Sequence, residues 1–155
     1  MITAPDPPDD WEDDGWGELG VDSKLRMTSQ ELERTKKAHA ILRLSTLLHK
    51  RIVKDVSTFP NLDSLPPLSS LLVVASDDLV STLYTPQTPS ETSKELAAFV
   101  TVIDSLRSAL LEPSLADQMQ AMSLQPTQQQ KDPIKWFQAC FVQIQKAADN
   151  LSSTL

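Results

Sequence analysis

The chain has 155 residues, a net charge of −7, one cysteine, three glycines and an aromatic content of 5%. That length fits one domain, or a small domain with tails, and lets roughly two-thirds of the unfolded surface be buried. The scarcity of glycine and of aromatic or β-branched clusters excludes a many-stranded sheet with tight turns, a lone Cys140 excludes an intramolecular disulfide and points to a reducing compartment, and no apolar run reaches the eighteen or so residues needed to span a bilayer.

The expected fold is all-α: a bundle of about four amphipathic helices with a disordered acidic N-terminal tail. Residues 1–23 hold eight acidic groups and no Lys or Arg, together with prolines and Trp11 and Trp16. They show no helical period, and nothing in them reads as a secretory leader. The tail, over 1–27, reads either as a docking segment, onto the protein's own basic helix or onto a partner, or as a solubilising linker. Charge would steer the encounter and the indole rings would supply buried area.

A three-helix core is expected over 28–112. Its first helix, over 28–57, is announced by Thr28 and Glu31, the spacing of a capping box. Leu32, Ala38, Ile41, Leu42, Leu48, Ile52 and Val56 mostly advance by three or four and form one stripe. Residues 24–57 carry nine basic groups against three acidic ones, and residues 58–155 carry a net −5. Most of those basic groups fall off the apolar stripe, where a solvated face and an acidic partner are both compatible with them. Proline at 60 ends the segment, because the residue before proline avoids helical geometry.

The second helix, over 65–84, tolerates Pro66 and Pro67 in its first turn. Leu68, Leu72, Ala75, Leu79 and Leu83 form its stripe, which Leu71 and Val74 widen. Only Thr85, Pro86 and Gln87 separate it from the third helix, over 89–112, so the two must fold back antiparallel. Thr88, Pro89 and Glu91 open that third helix, and Leu96, Phe99, Val100, Ile103, Leu106 and Leu110 face its core. A Gln-rich linker follows over 113–132. It is long enough to leave the direction of the last helix open. The last helix, over 133–155, takes Asp132 as cap and Pro133 as its first residue, with Phe137, Cys140, Phe141, Ile144, Ala148 and Leu151 as its seam.

No catalytic, cofactor-binding or metal-binding residues are expected, and the chain reads as no enzyme. His39 and His49 stand ten residues apart on one helix, about 80° to 100° from a common face, and cannot jointly chelate an ion. Cys140 lies on an apolar seam and reads as a small buried hydrophobe. Asp77 and Asp78 point about 100° apart and cannot act as a facing dyad. The three glycines all lie in the acidic tail, where a phosphate would be repelled. The basic helix lacks the interleaved aromatics of single-strand binders and the dense basic region of a zipper-type reader, so no specific nucleic acid is expected.

The segment over 61–87, NLDSLPPLSSLLVVASDDLVSTLYTPQ, resembles the C-terminal half of the cyclin-D-binding protein family, also called GCIP. The resemblance lies in LDxL, then Asp77, Asp78 and Leu79, then Leu83, Tyr84 and Pro86, a DDLxxxxYxP pattern. The acidic Trp-bearing tail ending in Glu18 and Leu19, the helix beginning near Glu31 and the helix over 94–110 follow in the family's order, so the resemblance covers about residues 10–112. It implies an all-α regulator without enzyme activity that binds D-type cyclins and helix-loop-helix proteins, restrains cell-cycle progression and resides in nucleus and cytoplasm. Members carry a further N-terminal helical domain, so the resemblance leaves open whether this chain is a portion of a longer protein. Pro66 and Pro67 depart from a helix that can be continuous in relatives.

The expected function is therefore a protein–protein interaction module without cofactors, with Asp77, Asp78, Tyr84, Lys36, Lys37, Arg43, Lys50, Trp11 and Trp16 as partner-binding candidates. The alternative is a basic-helix binder of an anionic surface, membrane or nucleic acid, which also draws on Arg51 and Lys54. Such binding would weaken steeply with salt, whereas a packed apolar interface would hardly respond.

Overall fold

A computed structural model describes residues 26–59, 62–111 and 131–155. The acidic tail with Trp11 and Trp16, and nearly all of the Gln-rich linker, lie outside the described residues. Helix α1 is Ser29–Lys54, and its capping box is in place. Thr28 Oγ1 accepts the Glu31 N–H at 3.2 Å, and Glu31 Oε2 accepts the Thr28 N–H at 2.8 Å. The α-helix stops three residues before the expected position 57. After Asp55 the chain tightens into a 3-10 turn over Val56–Thr58, and Phe59 is extended ahead of proline.

Helix α2 is Leu65–Ser81, with both prolines in its first turn, and it follows a 3-10 turn over Leu62–Ser64. It too ends early. The Thr82 N–H and hydroxyl both reach the Leu79 carbonyl, and the Leu83 N–H takes that of Val80. These i−3 bonds tighten the chain out of α-geometry, so Leu83 and Tyr84 belong to the connection and not to the helix. Helix α3 is Pro89–Leu111. The Thr88 carbonyl accepts the N–H groups of both Glu91 and Thr92 at 3.1 Å.

Helix α4 is Lys131–Ser152, which corrects both of its expected ends. Asp132 is not the cap: it and Pro133 lie inside the first turn, where backbone N–H groups have no intrahelical acceptor and proline loses nothing. At the other end the Thr154 and Leu155 N–H groups drop to i−3 acceptors, so the helix closes at Ser152.

The described residues contain no strand. Each helix packs on two neighbours in the ring α1, α2, α3, α4, and the α1–α2 seam is the most open. Helices α1 and α4 are antiparallel. Arg34 Nε bonds the Thr154 carbonyl at 3.1 Å and Lys37 Nζ the Asn150 carbonyl at 3.2 Å at one end, while Arg51 lies 5.2 Å over the Trp136 ring at the other. Ser69 meets His49 near the start of α2, and Gln87 meets Glu31 beyond its end, so α2 also runs antiparallel to α1. The topology is up-down-up-down.

The buried positions explain that geometry. They advance alternately by three and four: Ala38, Ile41, Ser45, Leu48 and Ile52 on α1, Leu72, Ala75 and Leu79 on α2, Leu96, Phe99, Ile103, Leu106 and Leu110 on α3, and Phe137, Phe141, Ile144, Ala148 and Leu151 on α4. This is the heptad alternation of knobs-into-holes helix bundles. Two expected core groups belong elsewhere. Leu32 and Val56 are nearly half exposed, whereas Ser45 is buried and places its hydroxyl on the Leu42 carbonyl at 2.9 Å. Leu71 and Val74 do not widen the core stripe of α2; they stand about half exposed on its outer side. The wider stripe stays open because, among the helices of the described residues, α1 and α3 are the ones that pack on α2.

Candidate protein-binding surface

The connection between α2 and α3 is held at both ends. Leu83 is buried in the core on one side. On the other, the Gln87 N–H donates to Glu31 Oε1 at 2.9 Å, and the Gln87 side-chain amide donates to the Glu31 carbonyl, the Thr35 hydroxyl and the Leu83 carbonyl. Those bonds hold the Glu31 carboxyl below the usual carboxylate range, the backbone N–H of Gln87 being the first cause and that of Thr28 the second. Tyr84 sits between these anchors with 71% of its surface open, in a turn whose Thr85–Pro86 peptide is cis. The fixed turn presents the phenol ring outward.

From that turn the outer face of α2 runs back through Asp78, Asp77 and Val74, with Leu71 beside them. Val74, Asp77 and Ser81 follow at spacings of three and four, which stacks them on the face opposite Leu72 and Leu79. Asp77 and Asp78 are exposed and form no ion pair among the described residues. Half-exposed Leu71, Val73 and Val74 thus adjoin two free carboxylates, and exposed Tyr84 follows in the turn beyond the helix.

Asp77 also borders a shallow open depression in the α1–α2 seam, with Ser45, Thr46 and His49 on one wall and Leu72 and Val73 on the other. Ser69 hydrogen-bonds the His49 imidazole across that seam. A triad needs a third group to orient such a base, and no carboxylate hydrogen-bonds the ring among the described residues. His39 is exposed on α1, well away from this pair. No group of three or more His, Cys, Asp or Glu that could hold a metal occurs among the described residues. Cys140 is buried on α4, and desolvation pushes its thiol up.

The basic candidates on α1 divide into two sets. Lys37 faces α4, pairing with Glu33 at 3.1 Å and with the Asn150 carbonyl, and so helps to close the bundle. Lys36, Arg43 and Lys50 point away from the core and are exposed. Asp77 and Asp78 thus stand exposed on α2, Tyr84 on the turn beyond its end, and Lys36, Arg43 and Lys50 on a separate face of α1. Sequence periodicity missed Leu71 and Val74 as surface residues. The signal was present in the run LLVV, which is too wide an apolar arc for one helix with two neighbours.

A ring of four heptad-spaced antiparallel helices whose chemistry lies on open helix faces defines an all-α bundle module. No helix of the described residues is long and apolar enough to cross a membrane. The chain belongs to the family described as Grap2 and cyclin-D-interacting, C-terminal, whose model matches residues 12–108. That match takes in α1, α2 and nearly all of α3, and it ends before α4. Neither the curated proteins nor the solved structures contain a significant match to the chain.

Proposed function

We propose that this protein is a non-enzymatic binding module of the cell cycle, acting in nucleus and cytoplasm, and that the outer face of α2 with the Tyr84 turn is its partner-binding surface. A D-type cyclin is the first partner class to test and a helix-loop-helix protein the second. Membership of a cyclin-D-interacting family supports this reading.

The observation that carries it is the juxtaposition of half-exposed Leu71 and Val74 with unpaired Asp77 and Asp78 and outward Tyr84. Apolar and aromatic anchors bordered by charge are the usual makeup of an interface centre and rim. The outer face of α1, by contrast, sets Leu32 and Leu47 among four cations and would bind an anionic partner in a strongly salt-dependent way.

Pull-down by the full-length chain tests the proposal. Binding should persist at raised salt, and Leu71→Glu with Val74→Lys should weaken it by about tenfold or more while far-UV circular dichroism stays unchanged. Equal binding by that variant, or no cyclin or helix-loop-helix partner above background, overturns it.

A further inference from the structure

On α1, a second line of residues runs along the side opposite the core. Leu32, Lys36, Arg43, Leu47, Lys50 and Lys54 fall within about 60° of one another at 100° per residue. All six are exposed, Leu47 by 52%, and the four cations form no ion pair among the described residues. Among the described residues the neighbouring helices leave this side open: α4 lies on the Lys37 and Arg51 side of α1, and α2 on the Thr46 and His49 side. Four like charges on one narrow line repel each other by a few tenths of a kcal/mol per close pair. An anionic occupant would relieve that repulsion.

We propose that the occupant is the chain's own N-terminal acidic segment, residues 6–22, which lies along this line and shields it. Three features of the molecule select it. The segment carries Asp6, Asp9, Asp10, Glu12, Asp13, Asp14, Glu18 and Asp22 with no basic residue, so its charge is complementary to the line. It is covalently joined to the start of α1, which raises its effective concentration at that face to about the millimolar range, beyond what most free partners reach. Its length also fits. The path from Arg26 to Lys54 is about 42 Å along the helix at 1.5 Å per residue. Sixteen extended residues, from Arg26 back to Asp10, cover about 53 Å.

The same reach puts Trp16 level with Leu47, so that indole has an apolar contact set between the charges, and it carries Trp11 to the far end of the line. Acidic groups near the first turn of α1 also meet the positive end of its dipole. The shield would make the α1 face available only to an anionic partner able to compete with eight tethered carboxylates. This inference does not depend on the α2 surface or on any partner, and its test uses none.

The test is acrylamide quenching of tryptophan fluorescence in the full-length chain, with the Trp11→Phe/Trp16→Phe variant subtracted to remove Trp136. Trp11 and Trp16 should be quenched about twofold less at about 20 mM salt than at about 0.5 M, where charges are screened beyond a few Å. The variant Lys36→Glu/Arg43→Glu/Lys50→Glu/Lys54→Glu should abolish that difference while far-UV circular dichroism stays unchanged. Quenching that is equal at the two salt concentrations overturns the proposal. So does protection that survives the charge reversal, and so does protection that grows with protein concentration, which would make a second copy the occupant.

Discussion

Glu31 and Gln87, 56 residues apart in sequence, are joined through one carboxylate that also closes the first turn of α1. Oε2 takes the Thr28 N–H at 2.8 Å and Oε1 the Gln87 N–H at 2.9 Å. A residue that a local capping rule identifies therefore also fastens the α2–α3 connection, and with it the position of Tyr84.

This arrangement predicts an acid-sensitive stability. The folded-state pKa of Glu31 lies below its ordinary value of 4.5, so its contribution is fully present above pH 4.5 and is lost as pH falls through the lowered value. Thermal melts across the acid range should show Glu31→Gln destabilised at neutral pH and with a shallower acid loss than the parent. Glu31→Ala should melt lower still, because Gln retains part of the capping box. Superimposable acid profiles for parent and Glu31→Gln would rule this out.

The contrast between core and outer face predicts unequal costs for equal chemistry. Phe99 is fully buried on α3, and Phe99→Ala should cost about 3–5 kcal/mol in denaturant unfolding. Val74→Ala, on the outer face of α2, should stay within about 0.5 kcal/mol. Comparable losses at the two sites would contradict the assigned facing of α2.

Cys140 predicts a slow thiol. It is buried on the α4 seam, and desolvation raises its pKa from 9.0, so the thiolate is both scarce and shielded at neutral pH. Labelling by a disulfide reagent should run about tenfold or more below the rate in denaturant. Native labelling at the denatured rate would show that α4 does not hold its place.

Much of the fold was legible because it is local. Thr28 with Glu31, and Thr88 with Pro89, mark helix starts through bonds confined to one turn. The short connection at 85–87 forces the α2–α3 reversal, and Phe99, Ile103 and Leu106 advertise their face by spacing alone. The errors are tertiary. Ser45 occupies a core position because its hydroxyl has a carbonyl within its own helix, which hydropathy does not register. Leu71 and Val74 are as apolar as core residues, and only the number of neighbouring helices decides that they stay outside. Asp77, Asp78 and Tyr84 stand out by family resemblance, but the exposed side that Asp77 and Asp78 share with Val74 follows from the bundle. Nothing near Gln87 in sequence foretells Glu31.

The bonds from Arg34 and Lys37 to the end of α4 also bear on how the last helix chooses its direction. Its final turn contains no basic residue of its own, and its last carbonyls carry the negative end of the helix dipole. Both cations come from the first turns of α1. Inserted the other way up, α4 would bring its positive end against the same two side chains, exchanging attraction for repulsion of about 0.3–1 kcal/mol at each. The chain before α4 is long enough to allow either insertion, so the charges that α1 lends to α4 favour a polarity that the connection between α3 and α4 does not dictate.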